Sequence, residues 1–281
     1  MRDYIKLIRV KHYIKNLLVF LPMFFGGVIF DGTRLLNAFL GFICFCLTSS
    51  AIYIFNDYRD IEKDRKHPTK KERPLASGRI KPQNALILMG VLIAVTVLLL
   101  IVIGDWRADA ALALYFALNI AYSMGLKKKP IVDIVILASG FVIRLFYGGF
   151  ITDVVISQWL FLVVCTGSLY MGLGKRRNEL MRQSAGGETR EVLKYYNKGF
   201  LDKNMYVCVA LADVFYALWA LEMNGGRMIW TVPMFIILLL YYSLVAEGDS
   251  DGDPVEVILH DKVLVGFIII YAVVVTALLY I

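Results

Sequence analysis

The chain has 281 residues, 59% of them hydrophobic, with a formal net charge of +7 and a mean hydropathy of +0.65. A water-soluble domain carries about 45–50% apolar residues, so this composition excludes an ordinary soluble core and asks for lipid in its place. The charge is not a nucleic-acid footprint, because Lys and Arg collect in alternate loops and no basic stripe is interleaved with aromatics.

In chain order, nine apolar runs are predicted as membrane helices, at about residues 14–30, 35–55, 84–103, 108–125, 131–151, 158–174, 204–222, 229–246 and 262–280. The first is short of strictly apolar residues, and Lys15 and Asn16 stand at its start, at the membrane rim. No soluble domain or low-complexity linker separates the runs, so the reading is all-α, a polytopic membrane protein with one integral domain over residues 1–281. The basic opening, Arg2 to Lys15, leads to no small-residue cleavage site, and no removable leader is expected. Cys44, Cys46, Cys165 and Cys208 all lie in apolar runs and read as small buried hydrophobes.

The loops orient the chain. Arg2, Lys6, Arg9 and Lys11 precede the first run, and Arg59 to Lys81, Lys127 to Lys129 and Lys175 to Lys198 fill every second loop. The intervening loops are short and nearly uncharged, which sets the N-terminus in the cytoplasm and the C-terminus outside. The 247–261 loop instead carries Glu247, Asp249, Asp251, Asp253, Glu256 and Asp261. It reads equally as a solvated acidic loop or as a cation or hydroxyl site.

Asn56, Asp60 and Asp64 recur every four residues, with Asp57 three before Asp60. On a helix leaving the second run they stack oxygen-bearing side chains on one face. Carboxylates so placed repel one another, and a hard divalent cation removes that penalty: Mg²⁺ binds through one or two carboxylates plus substrate phosphates. The same acids also fit a solvated helix end paired with Arg59, Lys63 and Arg65. The stretch from His67-Pro68 through Arg73-Pro74 to Gly78 then breaks the helix. Such a turn brings Lys70 and Arg73 back over the carboxylates, the arrangement a diphosphate requires.

These residues resemble the first aspartate-rich motif of the UbiA superfamily of intramembrane prenyltransferases. The similarity runs over most of the chain. It is strongest to one branch, the decaprenyl-phosphate phosphoribosyltransferases, which serve cell-wall biosynthesis. Lys11 to Phe20, His67 to Lys70, Asp133, Gly140 to Arg144, Ser157-Gln158-Trp159 and Gly174-Lys175-Arg176 with Glu179 carry it. Members using a prenyl diphosphate usually hold a second aspartate-rich motif after the sixth run. Here Lys175-Arg176-Arg177-Asn178-Glu179 stands in its place.

The resemblance implies about nine transmembrane helices around a central cavity open to the cytoplasm and laterally to lipid, in the cell (inner) membrane. It also implies an enzyme that moves 5-phosphoribose, with Mg²⁺, from 5-phosphoribosyl 1-diphosphate to a polyprenyl phosphate, releasing diphosphate. On this reading Asn56, Asp57, Asp60 and Asp64 hold the metal, and Asp60, Asp64, Arg73 and Lys175 carry the chemistry. Lys70, Arg73, Lys175 and Arg176 bind phosphates and Glu179 a ribose hydroxyl or a cation. Lys15, Asn16 and Arg144 are candidates for the lipid phosphate or the 5-phosphate, with Tyr122 and Lys127 near them. Arg144, inside the fifth run with Asp133 three helical turns earlier, is expected to face a polar cavity or to pair with another helix. Two other readings remain: a UbiA-type transfer of a prenyl group from its diphosphate to an aromatic acceptor, and a transporter, for which no inverted repeat is visible.

Overall fold

In a computed structural model, residues 2–67, 69–184, 190–248 and 252–281 are described. Among them every regular element is helical, in agreement with the all-α expectation. Pro68, Asp249 and Asp251, each singled out above, lie outside the described residues.

The α-helices are α1 (Arg2–Ile8), α2 (Leu21–Phe25), α3 (Gly32–Arg59), α4 (Ile61–Arg65), α5 (Pro82–Ile103), α6 (Trp106–Met124), α7 (Val132–Thr152), α8 (Gln158–Ser184), α9 (Lys198–Glu222), α10 (Val232–Glu247), α11 (Pro254–His260) and α12 (Lys262–Tyr280), with shorter 3₁₀ segments between some of them. Two compact units result: Met1–Phe24 with Val28–Ser123 and Phe146–Val154, and Phe25–Gly27 with Met124–Leu145 and Val155–Ile281.

In the first unit, Asp31 caps α3 by accepting from the N–H groups of Thr33 and Arg34 at 3.0 Å. α3 then buries Cys44, Phe45, Cys46, Ala51, Ile52 and Ile54. α5 is opened by Pro82 and stopped by Gly104, whose φ of 70° needs no Cβ. α5 is apolar all round and largely exposed, with Ile87, Leu98, Ile101 and Val102 open, as a helix bathed by lipid must be. In the second unit, Asn197, Asp253 and Asp261 cap α9, α11 and α12. Ile134, Tyr170, Leu173, Leu193, Leu201, Met205 and Val257 share a core there.

Among the described residues, six helical stretches are long and apolar enough to cross a membrane: Gly32–Arg59, Pro82–Ile103, Val132–Thr152, Lys198–Glu222, Gly225–Glu247 and Lys262–Tyr280. α6 and α8 lie where two further spans are expected, but Arg107, Asp109 and Asn119 in one and Gln158 and Lys175 in the other dilute their apolar runs. The first expected span differs most. It is not one α-helix but a 3₁₀ segment, Val10–Phe20, followed by α2. Arg9 takes a left-handed backbone (φ 53°) that breaks the path from α1, and Gly27 (φ 73°) ends the stretch. Its backbone is fixed by close packing: a Cβ at Gly148 on α7 would lie 2.1 Å from the Val19 carbonyl oxygen.

Candidate functional site

Two polar groups stand out, one in each unit. The first sits where α3 ends. Asp60 closes that helix, yet its N–H donates to the Asn56 carbonyl at 3.0 Å and its own carbonyl accepts from the Asp64 N–H at 2.7 Å. The backbone hydrogen bonds therefore run on through the junction into α4, although Asp60 itself leaves helical geometry (φ −96°, ψ 9°), and the acids brought together are Asp57 and Asp64. Asp57 and Asp64 are almost fully buried. Arg73 Nη1 bridges them, at 3.0 Å from Asp57 Oδ1 and 2.7 Å from Asp64 Oδ2. The return of Arg73 is built locally: His67 Nδ1 accepts from the N–H groups of Thr69 and Lys70, and the Arg73 N–H donates to the Lys70 carbonyl. Leu75 then locks into a core with Leu7, Ile54, Ile80 and Ala85.

Arg9 completes the group. Its Nη2 lies 2.6 Å from Asp57 Oδ1 and its guanidinium 4.6 Å from the Tyr53 ring centre. Two guanidinium ions thus stand against two buried carboxylates, which offsets part of the desolvation they suffer. The Ser123 hydroxyl donates to Asn56 Oδ1. Neither Arg9 nor Ser123 was singled out for the site from sequence. Arg9 looked like one more topology charge, and Ser123 lies 67 residues from its partner. Among the described residues no three His, Cys, Asp or Glu side chains converge so as to hold a metal by themselves. Asp57, Asp64 and the Asn56 amide are nevertheless hard oxygen donors on one helix end, the chemistry Mg²⁺ accepts when phosphates supply its remaining ligands.

The second group is built on α8, which continues past its apolar part so that residues 175–184 project as helix. Arg176 is fully enclosed. Its Nε contacts Asp133 Oδ2 and its Nη1 contacts Glu179 Oε2. Asp133 Oδ1 accepts from the Tyr196 hydroxyl at 2.7 Å, and that hydroxyl accepts from the Ile131 N–H at 2.6 Å. Arg190 Nη1 reaches both Glu179 oxygens, at 3.2 and 3.3 Å. Burial opposes ionisation of Glu179, but Arg176, then Arg190 and Lys175, overcome it and hold its carboxyl below the usual range. Burial and the bond to Asp133 push the Tyr196 hydroxyl up to about 12. The enclosure of Arg176 by two carboxylates leaves Lys175 and Arg190, not Arg176, as the partly exposed cations of this group.

The 247–261 segment is not a solvated acidic loop at its described ends. Asp253 is buried and lies 3.7 Å from Lys175 Nζ, while Glu247 is 3.2 Å from Arg177 Nη2. The Asn178 amide donates to the Ala246 carbonyl at 2.6 Å. Gly252, at φ 75°, lets the backbone approach so closely that a Cβ would stand 2.9 Å from Lys175 Cα. Asp253 and Glu247 therefore neutralise Lys175 and Arg177, while Glu256 is exposed and Asp261 caps α12.

The other candidates are distributed. Asn16 is buried, its amide donating to Cys46 Sγ at 3.2 Å, and Lys15 is half-buried beside it. Tyr122 lies in the last turn of α6, and Lys127 in the 3₁₀ turn Leu126–Lys128. Arg144 is buried in α7, donating to the Gly140 carbonyl at 2.6 Å with its guanidinium 5.8 Å from the Phe141 ring centre. Asp133, three helical turns earlier, pairs with Arg176 and Tyr196. His12 is half-buried, its ring centre 5.5 Å from that of Tyr53.

Residues 19–260 match the model of the UbiA prenyltransferase family. The decaprenyl-phosphate phosphoribosyltransferase of Mycolicibacterium smegmatis is 35% identical over 92% of this chain and 87% of its own. That of Corynebacterium glutamicum is 37% identical over 92% of this chain and 81% of its own. Among solved structures, a UbiA homolog from Archaeoglobus fulgidus bound to DMAPP and Mg²⁺ superimposes with a TM-score of 0.74 at 19% identity, covering 98% of this chain and 97% of that one.

Proposed function

We propose, for a chain that belongs to the UbiA prenyltransferase family, that it transfers 5-phosphoribose from 5-phosphoribosyl 1-diphosphate to a polyprenyl phosphate and releases diphosphate. The relatives of 35–37% identity carry the name of that reaction. The observation that bears most on it in this chain is the end of α8, where Lys175, Arg176 and Glu179 stand in place of a second acidic cluster. A carboxylate held ionised by fixed cations accepts from sugar hydroxyls, and a lysine beside it suits a phosphate.

The nucleophile, a lipid phosphate, is already an anion, so no general base is called for. Bound Mg²⁺ would supply charge neutralisation on the departing diphosphate. In this proposal Asn56, Asp60 and Asp64 hold the metal, and Asp57 supports them by keeping Arg9 and Arg73 in place. Arg73 and Lys70 then bind the diphosphate as guanidinium and ammonium partners. Lys175 binds a donor phosphate and Glu179 a ribose hydroxyl, while the enclosed Arg176 fixes Glu179. Lys15, Asn16, Tyr122, Lys127 and Arg144 remain candidates for the lipid phosphate or the 5-phosphate.

The single integral domain, the nine spans around a cavity open to the cytoplasm and to lipid, the cytoplasmic N-terminus and the inner-membrane location belong to the same proposal. The length of the first segment supports its counting as a span. A 3₁₀ helix rises about 2.0 Å per residue against 1.5 Å for an α-helix, so Val10 to Phe25 reaches about 30 Å, the thickness of the hydrocarbon core.

An aromatic prenyltransferase would use a lipid diphosphate as electrophile, and the cationic end of α8 speaks against a second metal there. Membership in an enzyme family sets the transporter reading aside. Purified protein given Mg²⁺, labelled 5-phosphoribosyl 1-diphosphate and a polyprenyl phosphate is expected to yield labelled lipid and one diphosphate per turnover. No labelled lipid, with turnover of a prenyl diphosphate and an aromatic acid instead, would overturn the proposal.

A further inference from the structure

The segment that follows α8 is tied down at three points. Glu191 pairs with Lys128 at 2.8 Å, Arg190 with Glu179, and Tyr196 with Asp133 and the Ile131 N–H. Ile131 itself has φ 65°. That conformation is costly for a β-branched residue and persists only where its surroundings over-determine it. The bonds at Tyr196 do so, and they fix the start of α7 where Asp133 stands.

Within this network the charges balance: Asp133 and Glu179 against Arg176 and Arg190. The two arginines differ in access. Arg176 has no exposed surface, whereas the Arg190 side chain is 33% exposed and Glu179 26%. Arg190 uses one nitrogen, Nη1, on both carboxylate oxygens of Glu179. A guanidinium carries five N–H donors in a planar fork. One edge holding a carboxylate leaves the other to take an anion bidentately. A carboxylate for hydroxyls with a guanidinium beside it for phosphate is what a sugar phosphate presents to be met.

We propose that Arg190 is a binding residue for a phosphate of the soluble sugar donor, and that it sets donor specificity together with Glu179. This rests on the phosphoribosyl-transfer reading above. Without Arg190, Glu179 would keep only Arg176, which it shares with Asp133, as a contacting cation next to an incoming dianion, so the residue acts by attraction and by reducing that repulsion. Asp133, Arg176 and Tyr196 act behind it as positioning residues, since none of the three reaches the surface as Arg190 does. A lipid phosphate shares the same chemistry, and the two sources are separated by measuring each substrate's KM.

The experiment compares wild type, Arg190→Gln and Arg190→Lys in detergent, with donor KM, lipid KM, kcat and binding of 5-phosphoribosyl 1-diphosphate in the absence of lipid. Arg190→Gln is expected to raise donor KM and the donor dissociation constant about tenfold, the worth of one charge-assisted contact. Arg190→Lys should fall between it and wild type, and lipid KM and kcat should stay within about twofold. An unchanged donor KM, or a rise in lipid KM instead, overturns the proposal. Should Arg190→Gln not fold, the decision passes to Arg190→Lys, where donor KM equal to wild type overturns it. A wild type that makes no phosphoribosyl lipid is a different result, and it fails the underlying reading alone.

Discussion

At the residue scale, the site chemistry is a matter of which charges are matched before any substrate arrives. Asp57 is buried against two guanidinium ions, and removal of one leaves a buried carboxylate short of a counter-ion. Arg9→Gln is expected to lower unfolding stability by about 2 kcal/mol, less than for a fully enclosed pair because Arg9 is partly open. Arg9→Gly should recover part of that loss, since glycine accepts a φ of 53° without strain. Thermal unfolding in detergent reads both, and an Arg9→Gln protein that melts with wild type contradicts this account of the pair. The Glu179 carboxyl is held below its usual range, so its ion pairs stabilise the fold fully above the ordinary glutamate value and lose that contribution as pH falls through the lowered one. The difference in melting temperature between wild type and Glu179→Gln should therefore be flat from pH 8 to about pH 5 and shrink at lower pH. A difference that shrinks between pH 8 and pH 6 would contradict it.

The grouping legible from sequence was the one that lies in short spacing: Asp57 and Asp64 near the end of α3, with Arg73 returning to both from the turn that follows. Arg9, Arg190 and Tyr196 were not legible, because their partners lie 48, 11 and 63 residues away and a lone basic residue between apolar runs reads as topology. The acidic 247–261 stretch gave no hint that Asp253 and Glu247 serve Lys175 and Arg177, a pairing that only tertiary packing creates.

At the scale of elements, apolar length was enough to locate most helices, since a run near 20 residues in lipid has few alternatives. It did not reveal the 3₁₀ path of Val10–Phe20. The choice between the two helices depends on what the segment packs against, and here α7 comes so close that Gly148 has no room for a Cβ beside Val19. Gly148→Ala is accordingly expected to cost about 3 kcal/mol or more, or to prevent accumulation in the membrane. Gly90→Ala, with nothing within 4 Å of the added carbon, should be neutral or slightly stabilising. Equal melting temperatures for the two variants would contradict the close approach.

For the whole molecule, the distribution of Lys and Arg fixes a testable topology. Single cysteines placed at Lys66 and Lys128 are expected to react with a membrane-impermeant maleimide only in inverted vesicles, and one at Asp153 only in right-side-out vesicles. The native cysteines Cys44 and Cys46 are buried and Cys165 and Cys208 are half-buried in helices, so the background is expected to be low. Labelling of Lys66 and Asp153 positions from the same side would contradict the arrangement. Fold and family were both legible in the sequence, through the apolar runs and the Asn56–Asp64 motif with Arg73, and the family match over residues 19–260 agrees. The donor is a finer matter, and its proposed assignment rests on the cations at the end of α8.

Whether this cationic end goes with a sugar-phosphate donor is read from the position of a label. The purified protein, with Mg²⁺ and a polyprenyl phosphate, is given 5-phosphoribosyl 1-diphosphate labelled with ³²P in the 5-phosphate alone. The expected result is label in the organic phase, on a lipid that retains the 5-phosphate, with unlabelled diphosphate released to water. Label that stays entirely in the aqueous phase while a prenyl diphosphate is consumed in a parallel reaction would contradict the account.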